Sequence, residues 1–178
     1  MVDEIYNRLC YDGPCPSAVR HVPHRTLLLR GFGKSYGMTG WRLGYAAGPR
    51  FLIDEMIKLQ QYTFVCAPSM VQYAGLEALG TDMSAHVDLY RRKRDFVWER
   101  LAKTFDIATK PGGGFYIFPK VPAGFASATE FVEQAIARNV LVIPGSVFSE
   151  KDTHFRISYA TSDEKLAQGC AILCDLAS

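Results

Sequence analysis

Gly31-Phe32-Gly33-Lys34-Ser35-Tyr36-Gly37-Met38-Thr39-Gly40-Trp41-Arg42-Leu43-Gly44 is the stretch on which the reading of this chain turns. It sets one amine, Lys34, on a glycine-rich turn and one guanidinium, Arg42, eight residues later. Glycines permit the tight, close-approaching backbone that such a turn needs. An amine held there can condense with an aldehyde to a Schiff base. A planar guanidinium nearby can grip a phosphate through paired N–H donors. The two together suit a small molecule that carries both an aldehyde and a phosphate. A lysine on an ordinary surface loop lacks that context.

Outward from this run, apolar stretches bounded by turn residues alternate with stretches of helical spacing. Val2 to Tyr6 reads as the end of a strand, and residues 7–25, with Gly13, Pro14, Pro16 and Pro23, as loop. Residues 26–30 suit a buried strand, and residues 43–47 read as another strand, ended by Gly48-Pro49. Residues 50–62 carry Phe51, Ile53, Met56, Ile57 and Leu59 at helical spacing, and Pro68 opens a second helix running to about Leu79. A long amphipathic helix is expected from Ser84 to about Phe105. Its stripe of Val87, Tyr90, Val97, Leu101 and Phe105 is interrupted by Arg94. The cluster Arg91 to Arg94 reads as a solvated helix face, with nucleic-acid contact the lesser alternative.

Beyond it come Pro111-Gly112-Gly113-Gly114, a strand over residues 115–118, a helix over 127–139, a strand over 140–143, a strand over 154–160 and a closing helix over 163–176. In the strand at 154–160, Phe155, Ile157 and Tyr159 share one face, while His154, Arg156 and Ser158 share the other. Strands alternating with helices predict an α/β layered architecture. Two parts are expected, residues 1–85 and residues 86–178, with the long helix as connector.

Bulk properties exclude several classes. Of 178 residues, 48% are hydrophobic and 21% charged, with a net charge of +2, so neither a nucleic-acid nor a membrane partner is called for. No apolar run approaches the ~18 residues of a membrane helix, and Met1 to Glu4 does not read as a secretory leader. Cys10, Cys15, Cys66, Cys170 and Cys174 are odd in number and irregular in spacing, which argues against a disulfide framework and for a reducing cytoplasm. Cys10, Cys15, His21 and His24 match no zinc spacing, so no metal is expected.

Four elements then occur in order: Asp3-Glu4-Ile5-Tyr6, Gly33 through Tyr45, Pro111 through Tyr116, and Phe155-Arg156-Ile157-Ser158. Together they resemble the C-terminal half of a class I/II aminotransferase, of the fold-type-I pyridoxal-phosphate-dependent superfamily. The second element is the specific one; the others are weak alone. The resemblance implies the end of a pyridoxal-phosphate-binding large domain, with a mainly parallel sheet, followed by a small C-terminal α/β domain. It implies pyridoxal 5′-phosphate as cofactor and amino-group transfer between an amino acid and a 2-oxo acid at a homodimer interface.

The resemblance also implies roles. Lys34 forms the Schiff base and then shuttles the substrate's proton. Asp3 bonds the pyridine nitrogen, Tyr6 the phenolic oxygen, Arg42 the phosphate, and Arg156 the substrate's α-carboxylate. Relatives often carry serine where this chain has Gly31 and Gly33, which leaves more of the phosphate to Arg42 and backbone N–H groups. Ser149 stands where relatives usually have glycine.

The strand ending at Asp3 is shorter than a sheet normally uses, so the chain reads as a fragment, expected to be inactive alone. A lyase or synthase on the same scaffold, or an inert truncated domain, is the alternative. A nucleotide-binding P-loop is set aside, because it needs glycine six residues before the lysine and position 28 is leucine.

Overall fold

A computed structural model describes residues 1–178 and divides them into two units, Met1–Val87 and Asp88–Ser178. In the first, the apolar run after Thr26 forms β2 (Leu28–Gly31), the centre of a three-stranded sheet. It is flanked by β1 (Val2–Asp3), parallel, and β3 (Gly44–Ala47), antiparallel. Asp3 stands opposite Leu29, and Gly31 opposite Gly44. The short α1 (Phe32–Ser35) leaves β2 directly, so the lysine turn is anchored at a strand end. α2 (Arg50–Gln61) and α3 (Ser69–Gly80) complete the unit.

Leu9, Tyr11, Leu28 and Phe32 are buried there. Gly75 lets α3 approach closely: a Cβ on it would lie 2.6 Å from Leu43 Cδ2 and 3.4 Å from the Phe32 ring. No residue of α2 is buried, and Phe51, Leu59, Tyr62, Phe64, Met70, Tyr73 and Leu76 are exposed. That apolar surface is more than scattered single residues would give.

α4 (Ser84–Leu101) contains the boundary between the units in its first turn. The second unit continues with β4 (Tyr116–Ile117), α5 (Ala128–Ala137), β5 (Ile143–Pro144), β6 (Phe155–Ser158) and α6 (Asp163–Leu176). Its sheet has the order β4-β6-β5, all antiparallel. The core gathers Phe105, Phe131 and Phe155, whose ring centroids are 4.7 to 5.8 Å apart, in the range where tilted and edge-on rings attract. Ser127 caps α5 by accepting the Glu130 N–H at 3.1 Å, while Glu130 accepts the Ala126 N–H at 2.9 Å. No helix is long and apolar enough to cross a membrane.

Several sequence expectations need correction. The strand expected over 140–143 is reduced to Ile143–Pro144. Asn139 takes a left-handed φ of 63°, and the Val140 N–H returns to the Ala135 carbonyl at 2.9 Å to close α5. That donor is thereby lost to any ladder. The long helix ends at Leu101, four residues early, although Phe105 is still buried.

Arg94 does not interrupt the buried stripe or lie on a solvated face. It is 4% exposed, and its Nη1 donates to the Pro111 carbonyl at 2.6 Å. Cys10 and Cys15 form a disulfide, contrary to the expectation of none. The turn at Gly13-Pro14 brings their Cα atoms to 5.5 Å, within bridging range. Held in that bond, neither is a zinc ligand, and no group of three or more potential ligands gathers elsewhere.

Candidate active site

Three of the residues singled out from the sequence share one hollow in the first unit. It measures about 410 Å³, and Asp3, Lys34 and Arg42 all line it, with Gly31 and Gly33 in its wall. Asp3 ends β1, and its Oδ1 accepts the Ile5 N–H at 3.0 Å, which folds the chain after it into a turn. Lys34 lies in α1, where the abrupt passage from strand to helix fixes the backbone beneath its amine.

Arg42 follows a single 3-10 turn at Thr39–Trp41 and has a φ of +52°. Arginine there costs on the order of 1–2 kcal/mol relative to a relaxed backbone. Strain of this kind collects where a side chain must be aimed. The aim is further held by a bond of 3.3 Å from Arg42 Nη1 to the Thr39 carbonyl, while Thr39 Oγ1 donates to the Gly33 carbonyl at 2.9 Å. Thr39 therefore ties the arginine's turn to the lysine's.

The glycine substitutions have a physical counterpart. A Cβ on Gly31 would lie 2.6 Å from Ile5 Cδ1, so the Ile5 side chain fills the space that a side chain at position 31 would enter. At Gly33 a Cβ would meet only ordinary contact, 3.5 Å from Thr39 Cα.

Two expected residues are not in the lining of this hollow. Tyr6 is half-buried in the turn after β1 and is not part of the lining. Arg156 belongs to the second unit. There it lies on the β6 face opposite the buried Phe155 and Ile157. Its guanidinium carbon sits 4.3 Å from the Tyr116 ring centre and 4.4 Å from that of Phe148. Two rings hold the fork while leaving its charge intact.

Sequence reasoning missed three contributors. Arg30 lines the hollow and gives both Nε and Nη2 to Glu4 Oε2, at 3.1 and 2.7 Å. Ser35, only 1% exposed, donates to the Ile5 carbonyl at 2.9 Å. Thr39 is the third. Each sits inside or beside a motif already quoted, but its role depends on a partner at least six residues away.

The hollow thus combines an amine, a carboxylate and a guanidinium. This set fits a flat, anionic aldehyde with a ring nitrogen: one group to bond it covalently, one to face its nitrogen and one to balance its charge. It leaves the ring's faces to elements other than these three.

The chain as a whole is similar to known proteins. The profile of the family "Aminotransferase class I and II" matches residues 1–173. A putative aminotransferase of Bacillus subtilis, YugH, is 41% identical over 175 residues, covering 94% of this chain and 45% of the relative. Aromatic-amino-acid aminotransferase 2 of Thermococcus litoralis is 38% identical, with 93% and 45% covered. Among solved structures, an aspartate aminotransferase of Thermotoga maritima superposes with a TM-score of 0.90 at 34% identity, over 97% of this chain and 46% of that one. The chain spans about 45% of the length of the curated relatives it matches.

Proposed function

The chain belongs to the class I and II aminotransferases, and on that premise we propose that it supplies the lysine-bearing portion of a pyridoxal-5′-phosphate-dependent enzyme moving an amino group between an amino acid and a 2-oxo acid. The observation that carries this reading is the shared hollow of Asp3, Lys34 and Arg42. When bound, the cofactor supplies an electron sink for the carbanion formed at the substrate's Cα.

The chain's residues do the rest. Lys34 Nζ would hold the cofactor through its aldehyde group, and as a free amine it would move the substrate's Cα proton, as general base and then general acid. The Asp3 carboxylate keeps the ring nitrogen protonated. Arg42 grips the phosphate with a fork that lysine lacks. Tyr6 is assigned to the phenolic oxygen, and Arg156 to the substrate's α-carboxylate, its fork held by Tyr116 and Phe148.

The whole enzyme is proposed as a cytoplasmic homodimer. Support comes from the exposed apolar side chains of α2 and α3, which need a cover. With 45% of the relatives' length, this chain alone is expected to hold the cofactor weakly and not to transaminate. Incubation with pyridoxal phosphate, borohydride reduction and peptide mapping test the assignment. The expected result is an adduct confined to Lys34, lost in Lys34→Ala, with no keto-acid exchange. An adduct spread over other lysines removes Lys34 from the role. Turnover by the isolated chain refutes its dependence on further elements.

A further inference from the structure

The Cys10–Cys15 bond lies outside the proposed active site and in a setting of its own. A second hollow in the first unit, about 370 Å³, is lined by both cysteines together with Arg8, Arg20 and Arg30. Both cysteines are partly exposed. Arg30 is paired with Glu4, and Arg8 spends its Nε on the Tyr36 hydroxyl at 3.1 Å. Arg8 and Arg20 therefore give the hollow an excess of positive charge. Asp12, between the two cysteines in sequence, is not part of its lining.

A bond between residues five apart does not staple distant elements. In a reducing compartment such bonds are transient, serving catalysis or redox sensing. We propose that Cys10–Cys15 is a thiol–disulfide exchange site for an acidic low-molecular-weight thiol, whose carboxylates dock on Arg8 and Arg20. This rests on the cytoplasmic setting proposed above but not on the amino-group chemistry.

The reaction balances with that thiol as reductant. Its thiolate attacks one sulfur of the pair, forming a mixed disulfide and expelling the other cysteine as a thiolate, which takes up a proton. A second thiol attacks the mixed disulfide, releasing the small-molecule disulfide and the remaining cysteine thiol. Two electrons pass to the pair and two small thiols are oxidised. In reverse, the small disulfide is the oxidant. Arginine charge beside the sulfurs favours both the approach of the anionic thiol and the leaving thiolate. Leu9 and Tyr11, 1% and 4% exposed, anchor the chain on either side of Cys10, so reduction is expected to loosen residues 12–17 and leave residues 9–11 in place.

The test compares reduced glutathione, which carries two carboxylates, with neutral 2-mercaptoethanol at equal thiolate concentration. Quenched samples are alkylated and peptide-mapped. In Arg8→Gln/Arg20→Gln the glutathione rate should fall about tenfold further than the 2-mercaptoethanol rate, the lower end of electrostatic focusing, because the neutral thiol loses only the arginines' effect on the two thiolates. Added salt should slow glutathione more than 2-mercaptoethanol. The neutral thiol also reports whether the variant keeps its fold around the pair. Equal glutathione rates in both proteins overturn the proposal, as does finding both cysteines still as thiols after treatment with oxidised glutathione.

Discussion

Ser35 donates its hydroxyl to the Ile5 carbonyl at 2.9 Å, joining the helical turn that bears Lys34 to the segment just after Asp3. The two segments are 30 residues apart in sequence, and the hydroxyl is fully buried. Replacing Ser35 by Ala leaves that carbonyl without its donor. The expected cost is about 1–2 kcal/mol in denaturant unfolding. The cofactor adduct at Lys34 should also form more slowly, because amine and carboxylate are no longer held in register. A Ser35→Ala protein with unchanged stability would show that the bond contributes nothing net.

Arg42 illustrates the opposite balance. Its left-handed φ of +52° suits asparagine better than arginine. Arg42→Asn is expected to raise stability by about 0.5–1 kcal/mol, part of the strain it relieves, while weakening retention of phosphate-bearing ligands in the hollow. Thermal melts with and without pyridoxal phosphate check both halves. The wild-type chain should gain more from the ligand than the variant does.

Glu4 gives a pH signature. Partial burial by itself would raise its carboxyl, but a hydrogen bond from Ser17, the hydrogen bonds and charge of Arg30 and the Ala18 N–H together outweigh this and leave it below its ordinary value. A depressed folded-state value means that the pair's contribution is fully present above the unfolded value, about 4.3. It is lost as pH falls through the folded one. Glu4→Gln should therefore be less stable than wild type by about 1 kcal/mol at pH 7. The two should converge as acid protonates Glu4 in both states. A gap that persists at low pH would assign the loss to packing, not charge.

How far the sequence could be read depended on the range of the interactions. The lysine turn, β2, α2, α3 and α6 were legible because each rests on local spacing, helped at α2 and α3 by local boundary signals, Pro49 and Pro68. Asp3, Lys34 and Arg42 could be named because they lie in two short motifs. The hollow that unites them depends on the parallel pairing of Asp3 with Leu29, which no local pattern announces. Arg94 was misjudged for the same reason. A charged residue on a helix stripe looks solvated until its acceptor, the Pro111 carbonyl 17 residues on, is known. The disulfide escaped because counting cysteines says nothing about the turn that brings two of them together.

Gly145 and Gly169 make a final contrast between two glycines that sequence alone treats alike. A Cβ on Gly145 would stand 2.6 Å from the His154 carbonyl oxygen and 3.3 Å from that of Lys151. Both neighbours are backbone, and the Gly145 N–H already donates to that His154 carbonyl at 2.7 Å. Nothing flexible is available to move, so β5 must separate locally from β6. Gly145→Ala should cost about 2–3 kcal/mol. It should also disturb β6, where Arg156 sits one residue from Phe155, the partner of Pro144. On Gly169, inside α6, a Cβ would meet only Val140 Cγ1, at 3.9 Å. Gly169→Ala should raise stability by about 1 kcal/mol, the helix-propensity difference. Urea unfolding of both variants decides the matter, and a Gly145→Ala protein as stable as wild type would mean that the β5–β6 edge yields more readily than its backbone contacts imply.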